Sequence, residues 1–147
     1  MVLVGIVALG TSSCQGDPVP TRADYRRRVN AECRDAHAAV ALTTPGAVAD
    51  AERLIAAGRR ALVLQRRAAA SIAELSRPPS QRRGIARWLN LVRSTLDSAG
   101  ASLDAQARLD LAAANRANAA GAALGKRADG AARRLGFDDC VTSSPRG

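Results

Sequence analysis

Residues 45–79 read PGAVADAERLIAAGRRALVLQRRAAASIAELSRPP, and their periodicity decides the fold. Val48, Ile55, Leu62 and Ala69 recur every seven residues, as do Leu54, Ala61, Ala68 and Leu75. An apolar seam with that repeat belongs to a helix that packs in a bundle. Pro45 suits a first helical turn, where its missing N–H costs nothing, and Thr44 before it can cap. Pro78 and Pro79 prevent continuation beyond Ser76 and Arg77. The stretch predicts a helix from about Pro45 to Leu75, ~46 Å long at 1.5 Å per residue.

The flanking segments carry the same signal. Upstream, Thr21 is an N-cap residue with Asp24 three positions on, close to a capping box. Tyr25, Val29, Cys33, Ala36 and Val40 then fall on one helical face. Downstream, a third helix is expected from near Ser80 to near Ala113, on the stripe Ile85, Leu89, Val92, Leu96, Ala99 and Leu103, with the turn around Asn115 to Asn118. Its continuation through Ala107, Leu111 and Ala114 slips slightly in phase. A fourth helix places Ala120, Leu124, Ala128, Ala131 and Leu135 on one side. Gly136 supplies its left-handed end, Arg133 and Arg134 meet the dipole, and Phe137 can fold back on the last turn.

Four amphipathic helices with short connections imply an all-α fold, an antiparallel up-down four-helix bundle over residues 21–140, with short first and fourth helices flanking two long ones. Composition agrees. The 147 residues include 33 Ala and 21 Arg but only three aromatics, Tyr25, Trp88 and Phe137. Strands favour β-branched and aromatic side chains, so an all-β fold is excluded. Disorder does not suit a chain that is 47% hydrophobic with periodic placement.

The start of the chain is different. Met1 to Leu9 is an uncharged apolar run followed by Gly10-Thr11-Ser12-Ser13-Cys14. It is too short to cross a bilayer, which takes about 20 residues, and suits the apolar centre of a secretory signal spanning residues 1–13. The basic residues that open such signals do not precede it; a start further upstream would supply them. A buried N-terminal helix or strand is the structural alternative. Small residues before a cysteine resemble the lipobox of bacterial lipoproteins, although Thr11 stands where leucine is usual. That resemblance makes Cys14 the lipidated first residue of the mature chain; simple secretion is the alternative. Residues 14–20, with Pro18 and Pro20, read as a tether, and residues 141–147 as a flexible tail.

Three cysteines are an odd number. If Cys14 carries lipid, Cys33 and Cys140 remain, and an oxidising compartment would couple them into a staple at the C-terminal end of the bundle. Two separate buried thiols are the plain alternative. A metal site from Cys33, Cys140 and His37 would lack a fourth ligand, so no metal is expected.

Tyr25 with Val29-Asn30-Ala31-Glu32-Cys33, the Pro78-Pro79 break and Leu135-Gly136-Phe137 before Cys140 resemble small secreted proteins and lipoproteins of high-GC Gram-positive (actinobacterial) bacteria. The resemblance implies a helical fold and a location outside the cytoplasmic membrane, and it lends no catalytic residues.

The net charge is +9, from 22 basic and 13 acidic residues. Arg53, Arg60 and Arg67 recur every seven residues with Arg59 and Arg66 beside them, opposite the apolar seam, so the second helix should present a cationic face. That face suits a solvated surface, or attraction to an anionic membrane or envelope surface as the second signal beside a lipid. Nucleic acid is the competing partner, disfavoured by few aromatics for base stacking and no helix-turn-helix or zinc-finger spacing. His37 follows Asp35 by two and shares no face with it. Asp138-Asp139 is adjacent on a tail, Asp104 and Asp110 are isolated, and phosphate-cradling and nucleophile-elbow motifs are missing. No cofactor and no catalytic activity are expected. The reading is a non-catalytic envelope lipoprotein or secreted helical binding or scaffolding module, with an envelope protein as a further candidate partner and a basic cytosolic nucleic-acid-binding protein as the alternative. A carrier with an apolar slot between helices is a third possibility.

Overall fold

The structure, a computed structural model, describes residues 19–43 and 50–142. The apolar opening, Cys14, the tether through Pro18, the Thr44–Pro45 helix start and the tail from Ser143 lie outside the described residues. Four helices run up and down: α1 (Arg22–Ala41), α2 (Ala51–Glu74), α3 (Arg82–Ala107) and α4 (Leu111–Leu135). A single 3₁₀ turn precedes α3 at Pro79–Gln81 and another, Asp138–Cys140, follows α4. The expected all-α, antiparallel four-helix arrangement is present, with no strand among the described residues.

Caps set the boundaries. Thr21 Oγ1 accepts the Asp24 amide at 3.1 Å, as its sequence position predicts. The second helix starts later than expected. Asp50 is extended (ψ 168°) and its Oδ1 accepts the Arg53 amide at 2.8 Å, so Asp50 is the N-cap at this helix start. The expected end holds, because Leu75 is extended ahead of the prolines.

The third boundary is a correction. The α3–α4 turn lies at Arg108–Asp110, and the fourth helix is a full 25 residues rather than a short one. The segment Asn115–Asn118, expected as a turn, is helical. Leu109 adopts φ 59°, donating to the Gln106 carbonyl at 2.9 Å, while the Asp110 amide reaches Ala105 at 2.9 Å. That hydrogen-bond pair is a Schellman ending made with leucine where glycine is usual. Asp110 Oδ1 then caps α4 through the Ala113 amide at 2.9 Å. The phase slip at Ala107 marked the break. α4 ends the same way with the expected residue: Gly136 at φ 76°, its amide to Arg133 at 3.1 Å and that of Phe137 to Ala132 at 2.9 Å.

The long α3–α4 pair packs along its length. Small residues permit the approach; a Cβ added at Gly121 would sit 3.3 Å from Ser98 Cβ. Two exposed pairs, Arg59–Asp104 at 3.0 Å and Arg66–Asp97 at 3.1 Å, bridge α2 and α3. Surface pairs of this kind contribute about 0–1 kcal/mol each, so they mark the register of the helices more than they hold it.

The dense core lies at one end. Phe137 is fully buried, 5.0 Å from Trp88 edge to face and 6.0 Å from Tyr25 between ring centroids. Val29, Ile72, Ile85, Leu89 and Ala132 complete it. A smaller cluster, Leu62, Ala69 and Leu96, continues upward. Cys33 and Cys140 are joined, with Cα atoms 5.1 Å apart. The staple joins α1 to the 3₁₀ turn after α4 rather than to α4 itself. Asn30 Nδ2 donates to the Gly136 carbonyl at 3.2 Å, Asn30 Oδ1 accepts the Asp139 amide at 3.3 Å, and Arg34 pairs with Asp139 at 2.6 Å.

Candidate functional site

Two features separate this bundle from an evenly packed one. The first is an apolar slot of about 180 Å³ beside the disulfide. Cys33, Ala36 and His37 of α1 face Ala68, Ala69 and Ile72 of α2, Trp88, Val92 and Leu96 of α3, and Gly125 and Ala128 of α4. The slot exists because α1, α2 and α4 contribute alanine or glycine opposite the larger side chains of α3, where bulkier residues would have met. Gln65, Thr95, Asp129 and Thr142 add the polar atoms. Asp129 is buried, and its carboxylate accepts the Thr142 amide at 3.1 Å and the Thr142 hydroxyl at 3.3 Å. A buried carboxylate persists when donors satisfy it, and here it ties the chain beyond α4 back onto that helix. The sequence reading missed Asp129, since nothing local distinguishes it from the exposed acids of the same helices. His37 lies exposed at the edge of the slot.

The second feature is an uneven charge distribution. The five arginines expected to form the cationic face, Arg53, Arg59, Arg60, Arg66 and Arg67, are all exposed on α2. Three of them face carboxylates: Arg53 with Asp50 at 3.6 Å, Arg59 with Asp104 and Arg66 with Asp97. The charge excess is elsewhere. Antiparallel packing gathers at one end Arg22, Arg26, Arg27 and Arg28 of α1, Arg77 of the α2–α3 connection, Arg82, Arg83 and Arg87 of α3, and Arg133 and Arg134 of α4. These ten arginines share that pole with four acids, Asp24, Glu74, Asp138 and Asp139, a net of +6. The opposite pole has Arg53, Arg59, Arg60, Arg108 and Arg116 against Asp50, Glu52, Asp104 and Asp110, a net of +1. It is tipped by exposed leucines instead, Leu42, Leu54, Leu109 and Leu111.

Two side chains at the basic pole have shifted acidities. Asp24 is held below the usual carboxylate range, first by the Thr21 hydroxyl, which donates to its Oδ2 at 2.6 Å, and also by Arg27, which pairs with it. Burial pushes the Tyr25 phenol above its ordinary value, and the nearby Arg77 charge offsets part of that. Tyr25 Oη is buried without a well-formed hydrogen bond. Among the described residues no cluster of three His, Cys, Asp or Glu side chains could hold a metal, and no helix is long and apolar enough to cross a membrane. Comparison with protein-family models, curated proteins and solved structures finds no match to this chain.

Proposed function

We propose that the protein is a non-catalytic helical module of the cell envelope, exported by its apolar start and held outside the cytoplasmic membrane through an acyl chain on Cys14, in the manner of the high-GC Gram-positive lipoproteins it resembles. The observation that carries this reading is the pairing of Cys33 with Cys140. It leaves Cys14 as the odd cysteine at the end of a signal-like run, and disulfides persist chiefly in oxidising compartments. Intact mass of the native protein tests it in one measurement. The expected mass lacks residues 1–13, gains acyl groups and shows no free thiol at Cys33 or Cys140. A chain retaining Met1, unacylated and fully reduced, refutes it.

The slot favours a second reading, in which the module carries a small apolar molecule. Apolar cavities near 150 Å³ stay dry and admit molecules of benzene size, and this one is slightly larger. Binding to the folded state alone stabilises it, by about 2.7 kcal/mol at a ligand concentration a hundredfold above Kd. Benzene and short-chain alcohols should raise the melting temperature, and Ala128→Leu, which fills the slot, should abolish the rise. A rise unaffected by Ala128→Leu would count against the slot.

A further inference from the structure

The charge excess and the point where the chain enters the fold coincide. Residues 1–18 connect to α1 through Pro20 and Thr21, at the pole that carries a net of +6. We infer that this basic pole is the surface that rests on an anionic bilayer, with the helices standing away from it and the leucine-tipped pole turned outward. The inference rests on the exported, Cys14-anchored reading and specifies its membrane contact.

Geometry selects the pole. Thr21 lies seven positions beyond Cys14, at most ~24 Å of extended chain. The other pole lies farther by the length of α3, 26 residues, or ~39 Å. Electrostatic attraction decays over about 8 Å at physiological salt, so in an upright molecule only the near pole is within range. Tethering raises the local concentration of the surface it meets. A basic cluster adds an electrostatic signal to a lipid anchor. Arginine suits the task, since its planar fork pairs with two phosphate oxygens at once. The α2 face, the other candidate surface, has three of its five arginines facing carboxylates.

The test uses the mature chain, residues 14–147, with Cys14→Ser, so that attachment depends on the protein surface alone. Sedimentation with phosphatidylglycerol/phosphatidylcholine vesicles should show binding that weakens with added salt, and phosphatidylcholine alone should bind little. Arginines near anionic lipid contribute about fivefold each, equivalent to about 1 kcal/mol. Arg28→Gln, Arg82→Gln and Arg83→Gln combined should therefore lower affinity about a hundredfold, while Arg60→Gln with Arg67→Gln should change it less than about threefold. Arg82 and Arg83 begin α3, where the helix dipole disfavours cations, so their removal does not cost the fold; melting of each variant checks this. The inference fails if anionic vesicles do not bind, if the pole variant binds undiminished, or if the α2 variant loses as much. Binding of duplex DNA by a chain that ignores vesicles would overturn it in favour of nucleic acid. An unprocessed native chain whose vesicle binding still depends on the pole refutes the exported reading and leaves the pole's lipid affinity standing. A processed, acylated chain indifferent to the pole does the reverse.

Discussion

Replacing Cys33 and Cys140 together by alanine removes a link between positions 107 residues apart. That span encloses the second part of α1, from Cys33 on, and all of α2, α3 and α4, so the bond restrains most of the unfolded domain. For a closed loop of that length the chain-entropy account gives about 4.7 kcal/mol. Removal of native disulfides from small domains typically costs 2–5 kcal/mol, and total stabilities are only about 5–15 kcal/mol. The core near the bond has few large side chains to compensate: Tyr25, Trp88, Phe137 and a handful of aliphatics. We therefore expect a loss of about 3–5 kcal/mol in urea unfolding followed by far-UV circular dichroism. Because the restraint acts chiefly on the unfolded chain, the emission of Trp88, the single tryptophan, should be unchanged in the folded variant. The dependence on urea should steepen, since the released chain exposes more surface. Dithiothreitol should reproduce the shift in the native protein. A loss below about 1 kcal/mol by both routes would refute the account.

Three further outcomes are expected. Leu109 is 84% exposed at φ 59°, so Leu109→Gly should relieve more strain than the packing it forfeits and raise stability by about 0.5–1 kcal/mol in the same urea assay; a decrease would contradict the left-handed turn. Gly136→Ala places a Cβ 2.7 Å from Arg26 Cδ at φ 76°, and since Arg26 can swing aside, the backbone dominates an expected loss of about 1–2 kcal/mol. Tyr25 is the single tyrosine, so tyrosinate absorbance reads one site. With its folded pKa raised, the stability it lends is complete below the unfolded value of about 10 and is lost as pH rises through the folded value. Its midpoint should lie above 10 in the native protein and return to the ordinary value in urea; a native midpoint at or below 10 would exclude the burial described.

The sequence showed the helices where local chemistry announces itself: Thr21 with Asp24, the Pro78-Pro79 break and the Gly136 ending all stand in the structure. It misled at the start of the second helix, where Thr44-Pro45 suggested the cap and Asp50 makes it at the helix start as described. Leu109 gave no warning of a left-handed turn, because leucine seldom takes that role and the slight phase slip at Ala107 shows a break without showing its residue. The slot was legible only as a possibility, since its alanines and Gly125 are brought to one level by the packing of four helices. The basic pole was not legible at all. Each arginine pair is unremarkable along the chain, and only the antiparallel return of four helix ends brings them together.

The α3–α4 turn at Arg108–Leu109 lies between the two bonded cysteines. A protease that severed it would therefore produce two fragments still attached to one another, and they would part on a gel only after reduction. The nicked protein would retain its native mass but for one added water, so ordinary wear at this tip need not release pieces of it.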